Sequence, residues 1–135
     1  MSYTISEIEG IGEARSTKLA EAGITTTEHL LTHCADPKGR ATIAEKTGFS
    51  AETLLKWANM ADLMRVSGVG KEYSELLELG GVDTVKELRT RRADNLAAKL
   101  AEVNAAKNVV RSVPTEAVVT KWIEHAKTLE PRITH

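Results

Sequence analysis

The chain has 135 residues, of which 41% are hydrophobic and 27% are charged, and its formal net charge at pH 7 is −1. These values are typical of a soluble globular protein with one compact domain or two very small halves. They exclude an overall basic excess, which dedicated nucleic-acid binders usually show because phosphate neutralisation supplies most of their affinity. Any basic surface on this protein must therefore be local.

Three sequence features indicate the cellular compartment in which the protein is located. The chain has no apolar run of about eighteen residues, so we expect no membrane-spanning helix. Its N-terminus lacks a basic region followed by an apolar stretch, so we expect no signal peptide. Cys34 is the single cysteine, which excludes an intramolecular disulfide and suits a reducing compartment. We therefore predict a cytoplasmic protein that does not enter a membrane.

Helical periodicity and capping signals predict an all-α protein, since no segment alternates polar and apolar residues as a strand does. Residues 4–8 are expected to form about one helical turn. Longer helices are predicted at about residues 13–22, 38–47, 50–64, 71–79, 94–108 and 115–129. Two short helices are also predicted, one capped by Thr25 or Thr26 and the other by Asp83 or Thr84.

Two stretches of the chain repeat each other. Gly10-Ile11-Gly12 and Gly68-Val69-Gly70 each begin two positions after an aliphatic residue and precede a helical run that ends at a glycine. The correspondence continues at one constant offset, pairing Leu19 with Leu77, Gly23 with Gly81, Thr26 with Thr84 and Leu30 with Leu88. Such agreement indicates an internal repeat. We predict one repeat at residues 1–65, a second at 66–130, one core shared by both, and a frayed tail at 131–135.

The repeated unit resembles the helix-hairpin-helix motif, in which a glycine turn joins two helices and the second helix closes on Leu-x-x-x-Gly. The resemblance is carried by residues 8–12 with Leu19 and Gly23, and by residues 66–70 with Leu77 and Gly81. The whole layout also resembles an uncharacterised bacterial family of small tandem helix-hairpin-helix proteins, described as a domain of unknown function. The resemblance implies a SAM-domain-like helical bundle made of two tandem helix-hairpin-helix repeats.

Proteins with this motif bind the DNA backbone without reading its sequence, so the resemblance implies double-stranded DNA as a partner. Its physical basis is a glycine turn that opens a helix, where free N–H groups and the helix dipole favour an anion. A Cβ on the glycines would keep a phosphate away from the backbone. The implied donors are Gly10, Ile11, Gly12, Gly68, Val69 and Gly70.

The two glycine turns differ in charge. Glu9 and Glu13 flank the first turn, whereas Lys71 follows the second directly. We therefore expect the second turn to be the better phosphate site. A basic stretch further along the chain, with Arg89, Arg91 and Arg92, is predicted to assist it. The alternative is that the turns only pack helices together and that the basic stretch is a solvated helix face.

Other candidate sites carry weaker signals. His29 and His33 have a spacing that can place two metal ligands on one helix face, but no third ligand accompanies them, so we predict no metal site. Arg40 is either a functional anchor or the partner of a nearby carboxylate. Trp57 and Trp122 are expected to fill the core.

Two functions of different class remain open. The chain has no Walker loop, no nucleophile elbow and no acidic cluster with histidine partners, so we predict neither catalysis nor a cofactor. The first function is a non-catalytic helix-hairpin-helix module that binds the DNA backbone. The second is a protein–protein interaction or scaffolding module with no nucleic-acid role. The motif favours the first function, and the charge distribution favours the second.

Overall fold

The computed structural model describes residues 3–135, and within this range the chain forms eight α-helices and no strand. The helices are α1 (Glu13–Glu21), α2 (Thr27–Cys34), α3 (Pro37–Thr47), α4 (Ala51–Leu63), α5 (Lys71–Leu79), α6 (Val85–Leu88), α7 (Ala93–Lys107) and α8 (Glu116–Thr128). A 3-10 turn at Ile5–Glu7 precedes α1. The prediction of an all-α fold is confirmed. None of the helices in residues 3–135 has both the length and the hydropathy needed to cross a bilayer.

Side-chain caps fix where most of the helices begin. A hydroxyl or carboxylate oxygen accepts a hydrogen bond from the backbone N–H three residues further on. These capping residues are Thr26, Asp36, Ser50, Thr84 and Thr115. By contrast, α1 and α5 begin at Gly12 and Gly70, which provide no side-chain cap.

The two halves of the chain have the same order of elements, so that α1 to α4 correspond to α5 to α8. Both α1 and α5 have nine residues, and each is followed by a left-handed glycine, with φ of +86° or +92°. After this glycine, the N–H of Ile24 donates to the Leu19 carbonyl, and the N–H of Val82 donates to the Leu77 carbonyl, both at 2.9 Å. This is a Schellman motif, which satisfies the last carbonyls of each helix.

The buried side chains form two hydrophobic clusters, one mainly in each half, although Leu63 of α4 belongs to the second cluster and Ile133 of the tail to the first. Trp57 belongs to the first cluster and Trp122 to the second, and both indoles are buried. An aromatic ring packs against each indole, with Phe49 centred 5.0 Å from Trp57 and Tyr73 centred 5.1 Å from Trp122. The expectation of a single shared core is therefore corrected, because the buried apolar side chains form two separate clusters.

A buried carboxylate at the end of α4 joins the halves. Asp62 is fully buried; its Oδ2 accepts a 2.9 Å hydrogen bond from the N–H of Val85, the first residue of α6. Its Oδ1 accepts a 2.7 Å hydrogen bond from Nη1 of Arg65. Each carboxylate oxygen thus has a donor, as a buried charge requires. The start of α6, in the second half, is held directly to the last helix of the first half.

The C-terminal tail lies against the first half. Ile133 is buried in the first cluster, and the N–H of Thr134 donates to the Ala35 carbonyl at 2.8 Å. The buried guanidinium of Arg40 donates to the carbonyls of Cys34 and Ala35 and, at 2.7 Å, to that of Thr134. The sequence predicted that residues 131–135 fray, whereas the structure has Ile133 buried and the backbone of Thr134 hydrogen-bonded. One buried isoleucine and three carbonyl contacts from Arg40 hold this region together.

Candidate nucleic-acid interface

Each glycine turn is closed by a hydrogen bond of its own. The first glycines, Gly10 and Gly68, have φ of +94° and +89°, which places them in the left-handed region that favours glycine. The N–H groups of Ile11 and Val69 donate to the carbonyl three residues earlier, at 3.1 and 3.0 Å. This combination is that of a type II turn. The expectation that Ile11 and Val69 are phosphate donors is corrected, because the turn already uses both N–H groups.

A tryptophan lies beneath each turn. A Cβ placed on Gly10 would come within 3.6 Å of Nε1 of Trp57, and one placed on Gly68 would come within 3.3 Å of Nε1 of Trp122. The backbone angle thus requires glycine at both Gly10 and Gly68. At Gly68 the indole of Trp122 also leaves little room for a Cβ. The tryptophans do fill the core, as expected, and they also support the turns. The number of residues between the turn and the tryptophan differs in the two halves, so an alignment of the repeats at one constant offset does not reveal this shared role.

The second glycine of each turn is in a different situation. Gly12 and Gly70 have φ of −87° and −105°, which other residues adopt readily, and a Cβ on either would meet no heavy atom within 4 Å. No packing or backbone requirement within the described chain therefore demands glycine there. The N–H groups of residues 12–14 and 70–72 have no hydrogen-bond partner among residues 3–135. These donors remain available to another molecule.

The lysine expected to serve the second turn contacts the first turn. Nζ of Lys71 lies 3.7 Å from a carboxylate oxygen of Glu9, and both side chains are nearly half exposed. Arg15, on α1, donates to the Gly10 carbonyl at 3.0 Å. The two turns are therefore neighbours in space. This pairing could not be found by comparing the repeats, since Glu9 and Lys71 occupy non-equivalent positions in different halves.

The basic stretch is largely engaged in contacts of its own. Arg91 donates to the Gly81 carbonyl at 2.8 Å and pairs with Glu87 at 3.0 Å. Arg92 pairs with Asp94 at 2.9 Å, and its hydrogen bond lowers the pKa of that carboxyl. Arg89 is half-buried and has no ion-pair partner among residues 3–135. Arg91, Arg92 and Lys99 line a shallow cleft of about 370 Å³ that does not include the second glycine turn.

The remaining candidates have structural contacts. Nδ1 of His29 accepts a 3.1 Å hydrogen bond from the N–H of Thr25, just before α2. No group of three His, Cys, Asp or Glu side chains is placed to hold a metal within the described residues. Burial raises the pKa of the Cys34 thiol to about 11, so the thiol stays protonated at neutral pH. Arg40 binds carbonyl oxygens rather than the carboxylate considered from the sequence.

A protein-family model described as "Domain of unknown function (DUF4332)" matches residues 9–129. The matched range contains both glycine turns and every helix from α1 to α8. None of the curated proteins and none of the solved structures compared with the chain matches it.

Proposed function

The chain belongs to this DUF4332 family, and we propose that it is a cytoplasmic, non-catalytic tandem helix-hairpin-helix module that binds duplex DNA through its backbone. The observation that carries the proposal is the pair of second glycines. Gly12 and Gly70 open helices without a side-chain cap, and the space beside them is empty. Five other helices of the chain have a side-chain cap. Among residues 3–135, three α-helix starts have no side-chain cap: two follow the glycine turns, and the third is that of α7, which begins after Arg92.

A phosphate oxygen is the ligand that this arrangement fits best. The unpaired N–H groups at the start of a helix carry roughly half a positive charge in total, so they attract an anion. Without a Cβ at Gly12 or Gly70, a phosphate can approach these N–H groups directly. Because the donors are main-chain groups and reach only the phosphate, the contact does not depend on DNA sequence. The two neighbouring turns would contact separate phosphates.

The ion pair between Lys71 and Glu9 does not prevent this mode of binding. Exposed ion pairs of this kind contribute only about 0–1 kcal/mol, so Lys71 can exchange the carboxylate for a phosphate at little cost. Glu9 then carries an unpaired negative charge beside the DNA and reduces the affinity. We therefore expect weak binding with a shallow dependence on salt, because few phosphates are neutralised.

The second candidate function is a protein-interaction module with no nucleic-acid role. It is favoured by the ion pairs of Lys71, Arg91 and Arg92, because each of these cations already has a carboxylate partner. The fold would then use the glycine turns only to pack its helices. The two functions make opposite predictions for a DNA titration.

The experiment titrates the protein with short duplex DNA at two salt concentrations and measures fluorescence anisotropy. We expect binding at low salt that weakens as salt rises, and loss of binding in the double variant Gly12→Val/Gly70→Val. Valine suits the extended angles at both positions and places its methyl groups where the phosphate would lie. Absence of binding at low salt, or binding without a salt dependence, would refute the DNA function and favour the protein-interaction module.

The control separates a loss of contact from a loss of stability. Ser50 caps α4, and its replacement by valine removes a helix cap far from the glycine turns in sequence. That change lowers the stability by about 1 kcal/mol, which is comparable to the loss expected when Gly12→Val/Gly70→Val weakens the starts of α1 and α5. Ser50→Val should therefore lower the stability but leave DNA binding intact. If it impairs DNA binding as strongly as the glycine variant does, the glycines act through stability alone.

A further inference from the structure

A groove runs between α4 and α5, where the first half of the chain meets the second. Two adjoining depressions form it, with volumes of about 260 and 110 Å³, and both are lined by Lys56 and Glu78. The other lining residues are Glu9, Gly10, Glu52, Leu55, Asn59, Met60, Glu75, Leu79 and Asp83. Apart from Gly10, none of them belongs to the predicted nucleic-acid site.

The groove has an excess of negative charge. Five carboxylates and one lysine line it, and Lys71 adds a second positive charge through its pair with Glu9, so three negative charges remain uncompensated. Burial raises the pKa of Glu75, and the carboxylates of Glu9 and Glu78 raise it further. Burial also raises the pKa of Glu78, although Lys56 opposes the effect from 3.9 Å. Positive charge brought into the groove would relieve this repulsion.

The groove also offers apolar surface. Leu79 is 44% exposed, which is the highest value among the large hydrophobic residues exposed in the described chain. It lies beside Met60, which is buried.

We propose that this groove binds a lysine- or arginine-rich segment of another protein that also carries an apolar side chain. The cationic groups would pair with Glu75, Glu78 and their neighbours, and the apolar side chain would cover Leu79. Charge complementarity identifies the occupant, because an acidic groove repels the phosphates of a nucleic acid. The proposal does not depend on DNA binding, which uses the N–H groups of the glycine turns, although the two surfaces meet at Gly10 and at the pair of Lys71 with Glu9.

The test uses two fluorescein-labelled synthetic peptides of the same length. One peptide has several lysines and arginines and a central leucine, and in the other peptide serine replaces that leucine. We expect the first peptide to bind at low and moderate salt. Leu79→Ser in the protein and the leucine-to-serine change in the peptide should each weaken binding about tenfold, which corresponds to about 1.4 kcal/mol. Glu75→Gln/Glu78→Gln should weaken it by a similar factor.

Matched controls test whether the groove itself is responsible. Val118 is 38% exposed on α8, and Glu102 and Glu116 are exposed carboxylates outside the groove. Val118→Ser and Glu102→Gln/Glu116→Gln should bind the peptide like the unchanged protein. Equal weakening by the control variants, or no binding at low salt, would overturn the proposal.

Two further measurements identify the occupant and separate this proposal from DNA binding. If the unchanged protein forms dimers in sedimentation experiments, and Leu79→Ser abolishes them, the occupant is a second copy and the assignment to another protein fails. Gly12→Val/Gly70→Val should leave peptide binding unchanged. Glu75→Gln/Glu78→Gln should leave DNA binding unchanged or make it tighter. Loss of peptide binding in the glycine variant would overturn the separation of the two surfaces.

Discussion

The buried carboxylate of Asp62 provides the sharpest test of how the halves are joined. Replacing it with alanine leaves the N–H of Val85 without an acceptor in a buried position and leaves Arg65, whose side chain is only 17% exposed, without its partner. Breaking a buried charge pair in this way costs about 3–5 kcal/mol. That is a large part of the roughly 5–15 kcal/mol that stabilises a typical small protein. Asp62→Asn keeps an acceptor for Val85 and should cost less, about 1–2 kcal/mol.

Urea unfolding followed by circular dichroism measures this loss, and tryptophan fluorescence adds spatial information. Trp57 reports on the first cluster and Trp122 on the second, so Trp57→Phe and Trp122→Phe backgrounds follow each half separately. We expect the two probes to coincide in the unchanged protein and to separate in Asp62→Ala. Asp94→Ala removes an exposed ion pair and should cause no resolvable change. A loss below about 1 kcal/mol in Asp62→Ala would refute the assigned role, since it would match a surface substitution.

Three further predictions concern stability and reactivity. Gly68→Ala should lower the free energy of unfolding in urea by about 1–2 kcal/mol, because φ is +89° at that position. Gly70→Ser should leave the stability unchanged or raise it, because serine is a preferred N-cap residue. Equal effects of the two variants would contradict this difference between the glycines. Cys34 should react with iodoacetamide at pH 8 only in denaturant, because burial raises its thiol pKa to about 11; rapid native labelling would contradict this. The hydrogen bond from Arg132 lowers the pKa of Glu28 in the folded protein. The ionised carboxylate of Glu28 therefore stabilises the fold fully above its ordinary pKa of 4.5, and this stabilisation is lost as the pH falls through the lowered pKa of the folded state. Arg132→Ala should therefore reduce the acid sensitivity of stability, and an unchanged pH profile would contradict that assignment.

Local features of the fold could be predicted from the sequence because they depend on neighbouring residues. The left-handed glycines at Gly23 and Gly81 and the caps at Asp36 and Ser50 lie where the sequence places them. The choice between Thr25 and Thr26 remained open in the sequence, because either hydroxyl could cap α2. The structure selects Thr26, whose oxygen accepts from the N–H of the third residue after it.

Contacts between distant parts of the chain could not be predicted in this way. The pair of Glu9 with Lys71 and the bond from Asp62 to Val85 join residues of different halves. A comparison of equivalent positions in the two repeats does not align either pair. The donors of the candidate site were also only partly predicted. A glycine turn indicates free N–H groups, but the pattern does not show that the turn itself uses the N–H of Ile11.

The contacts of the C-terminal tail set the order in which this chain can finish folding. Arg40 and Thr134 are 94 residues apart in sequence, and Glu28 and Arg132 are 104 residues apart. Closing loops of this length costs conformational entropy before the contacts can stabilise the fold, so we expect these contacts to form late. During synthesis the first half can form its helices early, but its cluster lacks Ile133 until that residue has left the ribosome. The first half of the chain therefore reaches its final packing only after the second half has been made.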